Sequence, residues 1–260
     1  MPSDGLALCL EIARLEGRDI GSTVVALVRW PPGVGLALDS AGLACSVAVS
    51  LGEEVVAEER IGTMHGQAEV LLPLVDRAMR EAGQMAGALD LVVATVGPGS
   101  FTGIRVGLAA ARGIALATGA RLIGVTSFDA VTVLAVRNDW PETRSLLVAL
   151  ESRREDFYVQ FFDPHGDALG EPAAIMPFLL REAVAEAIGA NPLLIAGDAA
   201  QRAAAALEQR PDTVVLEDSP PGAVGALHAG LRLLRFGKAA DAPRPLYLRS
   251  PDVTLPETRL

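Results

Sequence analysis

The segment GPGSFTGIRVG, at residues 97–107, is rich in glycine and hydroxyl side chains and follows an apolar run of strand length. Loops of this kind, placed between a strand and a helix, bind phosphate through backbone N–H groups and the positive end of the helix dipole. Five residues are the candidates for such contacts: Gly97, Gly99, Ser100, Thr102 and Gly103. Phosphate binding is therefore the first chemistry to test against the sequence.

The two best-known phosphate-binding motifs fit this segment poorly. The motif G-x-x-x-x-G-K-[ST] needs a lysine after its last glycine, whereas Gly103 is followed by Ile104 and Arg105. A dinucleotide fingerprint needs G-x-G-x-x-G, whereas this segment reads G-x-G-x-x-x-G, follows three predicted strands and is stiffened by Pro98. Asp129 would be the ribose-binding acid of that second motif. Neither nucleotide motif is favoured.

A structural interpretation of the glycines competes with the chemical one. Gly103, Gly107, Ala111, Ala115 and Gly119 recur every four residues, which places them on one face of a helix. A face without side-chain bulk lets a sheet or a second helix approach closely. The glycine loop is therefore predicted to be structural, with at most a weak phosphate contact.

Composition limits the classes of function. The chain has 260 residues, of which half are hydrophobic, and its formal net charge is −10. This length allows one large domain or two ordinary ones, and the negative charge makes the chain on its own a poor ligand for nucleic acid. Cys9 and Cys45 are too few for a disulfide framework, and no apolar run reaches the roughly 18 residues of a membrane span. We expect a cytoplasmic protein with no membrane contact, acting near RNA only through a basic partner.

Hydrophobic periodicity predicts the element order β-β-β-α-β-α-β-α twice. In the first half the predicted strands are 34–40, 44–50, 53–60, 90–96 and 121–126, and the predicted helices are 67–82, 102–118 and 127–136. In the second half the strands are 145–152, 156–163, 168–175, 192–197 and 213–217, and the helices are 177–188, 199–209 and 223–236. This order predicts an α/β fold of two ribonuclease-H-like domains in tandem, the architecture of actin-like ATPases.

The predicted domains follow from that order. Residues 34–138 form a first, partner-binding domain, and residues 139–260 form a second domain with a C-terminal tail. Residues 1–33 do not fit the pattern and are interpreted as an N-terminal appendage or a misassigned start. Asp39 ends the first strand, where actin-like ATPases keep an acid near magnesium, so it is the candidate nucleotide-proximal residue.

Several stretches of this chain resemble the bacterial TsaB (YeaZ) family. They are LALDSAGLACSVAV (36–49), HGQAEVLLPLVDRAM (65–79), GPGSFTGIRVG (97–107), GVTSFDAV (124–131) and PLYLRSPDV (245–253). That family works in making threonylcarbamoyladenosine beside the tRNA anticodon. The resemblance departs at Ser40-Ala41, where the family usually has Thr-Ser, and at Leu150–Arg153, where it usually has Asp-Ala-Arg.

The resemblance implies a set of partners and the lack of a catalytic centre. TsaD, a catalytic relative of similar fold, carries a His-x-x-x-His metal pair where this chain has Ser127 and Val131, and neither side chain can replace a histidine ligand. His65, His165 and His228 are dispersed, so no catalytic or metal-binding residue is predicted. The implied partners are a TsaD-like transferase, a TsaE-like ATPase, a second copy when TsaD is absent, and tRNA only through the complex. No cofactor of its own is implied, although ATP or ADP could lie at the complex interface.

Two helices predict a surface for that partner. Helix 67–82 carries an apolar arc of about 200°, whereas covering one sheet needs little more than about 100°. Helix 102–118 is apolar nearly all round, and its only charges are Arg105 and Arg112. The predicted interface residues are Val70, Leu71, Leu74, Val75, Ala78, Arg105, Leu108, Ala109, Arg112 and Leu116. The alternative is that the second domain of this same chain covers the two helices.

Two hypotheses for the function follow. The first is a non-catalytic scaffold subunit of the threonylcarbamoyladenosine complex. The second is an independent enzyme of actin-like fold, either a nucleotide-dependent kinase or a peptidase. A kinase should show a second acid and a second glycine loop, for which Gly197-Asp198 is the one weak candidate.

Overall fold

The computed structural model describes residues 33–62, 66–137, 143–208, 210–237 and 242–249. All of the predicted appendage except Gly33 lies outside these ranges, and so does His65. Within them, no helix is long and apolar enough to cross a membrane.

The first half forms a five-stranded sheet with the order β3-β2-β1-β4-β5. Its strands are β1 (Val34–Asp39), β2 (Ala44–Leu51), β3 (Glu54–Gly62), β4 (Leu91–Thr95) and β5 (Arg121–Val125). Its helices are α1 (Gln67–Glu81), α2 (Phe101–Thr118) and α3 (Ser127–Arg137). Because short turns join β1 to β2 and β2 to β3, these strands pair antiparallel, whereas β1, β4 and β5 pair parallel through helical crossovers.

The second half repeats this arrangement, with the strand order β10-β9-β6-β7-β8. Its strands are β6 (Ser145–Glu151), β7 (Phe157–Phe162), β8 (Ala173–Ile175), β9 (Leu193–Ala196) and β10 (Thr213–Val215). Its helices are α4 (Leu180–Ile188), α5 (Ala200–Ala206) and α6 (Ala223–Arg235). The predicted tandem of ribonuclease-H-like folds is confirmed, as are all sixteen predicted elements, although the predicted strand 168–175 is regular only in β8.

Both faces of the first sheet are covered by helices. On one face, Leu71 and Leu74 of α1 and Ile104 and Leu108 of α2 lie in a core cluster with β1, β2 and β4. On the opposite face lies α6, which belongs to the second half of the chain; a Cβ added at its Gly230 would be 2.6 Å from Val93 Cγ2. The last helix that the structure describes is therefore part of the core of the first half.

Helix α3 makes the complementary connection. Its Phe128 and Val131 lie in a cluster with Leu146 and Val148 of the second sheet. Helices α3 and α6 also pack closely on each other, since a Cβ at Gly225 would lie 2.3 Å from the Ala130 carbonyl oxygen. The two halves of the chain thus share a continuous core through this helix pair.

The C-terminal tail segment, which we define as residues 242–249, crosses from the first half to the second. The Leu246 N–H donates to the Val96 carbonyl oxygen at 2.8 Å, and Leu248 packs against the core cluster of the second sheet. Arg249 forms an ion pair with Asp156, whose side chain is buried. The tail segment therefore contacts both the end of β4 in the first half and the turn after β6 in the second half.

Candidate functional site

The glycine loop is filled by the backbone of the first hairpin. A Cβ added at Gly99 would lie 2.2 Å from the Ala41 carbonyl oxygen, and one added at Gly103 would lie 2.0 Å from the Ser40 carbonyl oxygen. The Ser100 N–H donates to Ala41 O at 2.7 Å. Only glycine allows this approach, because real Cβ atoms do not come so close to backbone.

The polar groups around the loop are used within the protein. The Ser100 side chain caps α2 by accepting a hydrogen bond from the Gly103 N–H at 3.2 Å. Ser40 Oγ donates to the Gly103 carbonyl at 2.8 Å, and Ser127 Oγ donates to the Pro98 carbonyl at 3.0 Å. A phosphate would have to displace the Ser40-Ala41 backbone from this position, so these residues do not fit a nucleotide phosphate.

The stripe of small residues has two separate roles. Gly107 faces Ser40 Oγ, 2.6 Å from where its Cβ would stand, and Gly103, Gly107 and Ala111 are buried. Gly119 instead ends α2 in the left-handed conformation, with φ 76°, as helix C-termini commonly do. The packing interpretation is therefore confirmed for the first part of the stripe, while Gly119 is a helix cap.

Two acidic residues, one from each half, lie near one another. Asp39 Oδ1 accepts the Ala41 N–H at 2.9 Å, and Asp198 Oδ1 accepts the Glu151 N–H at 2.9 Å. Burial raises the pKa of both carboxyls, and the negative charge of Asp39 also raises the pKa of Asp198. Asp39 closes the turn after β1, whereas Asp198 joins the end of β9 to Glu151 at the end of β6. The sequence predicts Asp39 and gives Gly197-Asp198 as one weak candidate for a second acid; the structure was needed to relate the two, because 158 residues separate them in the chain.

The positions that match the metal ligands of TsaD belong to the core here. Ser127 is buried and hydrogen bonds to the loop at Pro98, while Val131 is buried against the second sheet. Across the ranges that the structure describes, no three His, Cys, Asp or Glu side chains are grouped as a metal site would require.

The ten predicted interface residues differ in burial, and for four of them the prediction is wrong. Leu71, Leu74, Ala78 and Leu108 lie in the core cluster of the first half and cannot contact a partner. The apolar arc is wide because each helix covers both the sheet and its neighbouring helix. Val70 and Val75 are half-buried, whereas Ala109, Arg105, Arg112 and Leu116 are exposed.

An exposed apolar surface remains on these two helices. Leu116 is 88% exposed, and Leu72, which the sequence interpretation did not include, is 55% exposed. Helices α1 and α2 contact each other, so these side chains belong to one helix pair. We define the α1–α2 face by the members Leu72, Val75, Ala109 and Leu116; Val70 lies on the opposite side of α1 from Leu72.

The two arginines of α2 contact the tail segment. Arg105 Nε donates to the Tyr247 hydroxyl at 3.1 Å, and its guanidinium lies 3.7 Å from the centre of the Phe101 ring. Arg112 Nη2 donates to the Pro243 carbonyl at 2.8 Å. The sequence predicted that these arginines face a partner; the structure adds an intramolecular neighbour that lies more than a hundred residues away in the chain.

Comparison with known proteins identifies relatives of this chain. A family described as "TsaD: tRNA N6-adenosine threonylcarbamoyltransferase" matches residues 63–177. The Escherichia coli tRNA threonylcarbamoyladenosine biosynthesis protein TsaB is 31% identical over 159 residues, covering 59% of this chain and 67% of the relative. An uncharacterized protein of Mycobacterium tuberculosis is 32% identical over 210 residues, covering 78% of this chain and 82% of the relative.

A solved structure agrees with these relatives. YeaZ from Pseudomonas aeruginosa superposes with a TM-score of 0.70 at 25% identity, covering 83% of this chain and all of that one. The fold and the hairpin-filled glycine loop define a protein with two ribonuclease-H-like units whose loop serves packing. This chain belongs to the TsaB (YeaZ) family, associated with tRNA threonylcarbamoyladenosine biosynthesis, and the resemblance found in the sequence is confirmed.

Proposed function

We propose that this protein is a non-catalytic subunit that binds a TsaD-like transferase and orders it for threonylcarbamoylation of tRNA adenosine. The observation that carries the proposal is the α1–α2 face, an exposed apolar surface on two adjacent helices. Isolated exposed apolar residues are ordinary, but neighbouring ones on a helix pair are typical of interaction sites.

The match to the TsaD family supports the choice of partner. The matched residues 63–177 include both α1 and α2. A TsaD-like protein should therefore present a similar helix pair, and two similar pairs can pack face to face in a pseudo-symmetric interface. A second copy of this chain would offer the same pair, which supports a homodimer when the transferase is absent.

The core positions of Ser127 and Val131 support the non-catalytic part of the proposal. One hydroxyl is committed to a loop carbonyl, and the other position is aliphatic and buried. Ser127 and Val131 support the packing of α3, which joins the two halves together with α6. The transfer of the threonylcarbamoyl group is assigned to the partner. A TsaE-like ATPase, and tRNA held through the complex, complete the proposed assembly.

The acids Asp39 and Asp198 favour one second candidate, a nucleotide-dependent enzyme of actin-like fold. The charge of Asp39 acts on Asp198 from the other half of the chain, and ATP or ADP at the complex interface stays a prediction. Each acid already accepts a backbone N–H, which favours the structural role. Magnesium-dependent ATP turnover by the isolated chain would support this candidate over the scaffold.

The scaffold proposal is tested by measuring whether a complex forms and how tightly it is held. The purified chain is mixed with a TsaD-like protein, and the affinity is measured for the wild type and for the double variant Leu72→Asp/Leu116→Asp. We expect the wild type to form a complex and the variant to lose about 100-fold or more in affinity, because two charges replace apolar contacts at the centre of the face.

The matched control is Phe178→Asp, since Phe178 is 76% exposed in the second half. We expect this variant to bind as the wild type does. An unchanged affinity of the double variant would exclude the α1–α2 face as the interface. Modification of tRNA by this chain alone would contradict the non-catalytic role.

A further inference from the structure

Helix α2 and the tail segment bring together the basic residues of an acidic chain. Between Asp90 and Asp129 the sequence contains three arginines and no acid, and residues 242–249, which follow Asp241, add two arginines. The formal net charge of the whole chain is −10. Because the tail segment lies against α2, arginines of both segments lie on one local surface.

The hydrogen bonds of the α2 arginines on this surface go to uncharged groups. Arg105 and Arg112 are exposed and donate to uncharged oxygens, the Tyr247 hydroxyl and the Pro243 carbonyl. Arg244 is exposed on the tail segment beside Pro243. Among the described residues, no carboxylate lies within ion-pair distance of these three arginines, whereas Arg77, on α1, pairs with Glu59.

Two aromatic rings border the arginines. Phe101 and Tyr247 are 37% and 39% exposed, and their ring centres are 5.1 Å apart with planes tilted by 35°. Aromatic residues make up only 4% of the chain. Exposed rings next to unpaired arginines are the combination on which unpaired nucleic-acid bases stack while their phosphates are neutralised.

We propose that this surface, the α2–tail rim, binds an unpaired segment of RNA; its members are Phe101, Arg105, Arg112, Arg244 and Tyr247. The Tyr247 ring accepts a base, and Arg112 and Arg244 neutralise phosphates. RNA is favoured over an acidic peptide because every nucleotide carries both a phosphate for an arginine and a base that stacks on a ring. The inference rests on the proposed function, since the negative charge of the chain as a whole opposes RNA binding unless a partner subunit adds contacts.

The rim and the α1–α2 face share α2, since Leu116 stands four residues after Arg112, one turn along the same side of the helix. Arg112 and Phe101 lie on the side of α2 that meets the tail segment, while Leu72 belongs to α1. A partner docked on Leu116 would therefore lie close to Arg112, whereas Tyr247 and Arg244 stand on the tail segment. RNA held by the partner could then reach Tyr247 and Arg244.

The test measures binding of a short anticodon stem-loop RNA to the complex with a TsaD-like protein across a range of salt concentrations. We expect Arg112→Ala/Arg244→Ala to reduce the slope of log affinity against log salt by about 1.4, because two phosphate contacts with an unpaired strand are lost. Tyr247→Ala should weaken binding about tenfold, whereas Tyr247→Phe should retain it, because a stacking face persists. Arg235→Ala, which removes an exposed arginine of α6, is the control and should match the wild type.

The mass of each complex is recorded in parallel, so that the two proposals fail separately. If the wild-type complex does not form, the proposed partner is wrong, and the RNA titration is repeated on the isolated chain at low salt, where the same differences between variants are expected. An unchanged slope for Arg112→Ala/Arg244→Ala in an intact complex would overturn the RNA contact. It would also be overturned if that variant dissociated the complex, because the rim would then belong to the protein interface.

Discussion

At the scale of single residues, two glycines of helix α2 stand in opposite surroundings. Gly103 has backbone 2.0 Å from where a Cβ would stand, whereas Gly113 has no atom within 4 Å of that position. We expect Gly103→Ala to lower the free energy of unfolding by at least about 2 kcal/mol through overpacking. Gly113→Ala should raise it by about 0.5–1 kcal/mol, because alanine is the better helix former.

Urea denaturation of both variants measures this difference. The contrast separates steric approach from helix propensity, since both substitutions lie in the same helix. Equal effects of the two alanines would show that the hairpin does not hold its close position against α2. A stable Gly103→Ala protein that bound ATP would revive the phosphate-binding interpretation.

The identity of the group that fills the glycine loop could not be derived from local sequence. A four-residue spacing identifies a face without side chains, and the missing lysine argues against one phosphate motif. The occupant, Ser40-Ala41, lies about sixty residues earlier in the chain. Spacing therefore predicted that something approaches closely, but the distances were needed to show that it is backbone.

At the scale of elements, His228 lies where three of them meet. It is half-buried on α6, near Arg137 at the end of α3 and Glu53 in the turn between β2 and β3. Burial and the charge of Arg137 lower the pKa of its imidazole from 6.5, against the opposing effect of Glu53. The imidazole of His228 therefore binds a proton less readily in the folded protein than in the unfolded chain.

This linkage predicts a loss of stability in mild acid. As the pH falls below the unfolded pKa near 6.5, the unfolded state binds more protons and the free energy of unfolding decreases; the loss levels off below the folded pKa. His228→Gln should flatten this decrease between neutral and mildly acid pH, as measured by chemical denaturation. The substitution His165→Gln, at an exposed histidine, is the control. If the decrease in the free energy of unfolding persists in His228→Gln, other groups cause it.

The elements themselves were predictable, while their neighbours were not. Periodicity is a local property, so the helices and strands follow from spacing and from the turns between them. The arc of α1 correctly indicated more than one apolar neighbour. It could not distinguish a partner protein from α2, and for that reason Leu71, Leu74 and Ala78 were assigned to an interface when they lie in the core.

At the scale of the whole molecule, helix α6, from the second half of the chain, closes the core of the first half. Helix α6 covers Ala37, Leu91 and Val93 of the first sheet. We expect a fragment of residues 34–137 to expose this apolar face and to show no cooperative unfolding transition, because one side of its sheet has lost its cover. Circular dichroism during thermal denaturation measures this.

The matched fragment adds α6 through a flexible linker. Residues 34–137 joined to residues 222–237 should recover cooperativity at least in part, since the helix is restored without the second sheet. A cooperative transition in the shorter fragment would show that α6 is dispensable for the first half.

The position of α6 also sets an order of events during synthesis. A ribosome releases the strands of the first half long before it releases residues 223–235, whereas independent domains generally fold in the order in which they emerge. The surface of β1 and β4 that α6 covers is exposed to water until α6 has left the ribosome. In this protein, the half that is made first is completed last.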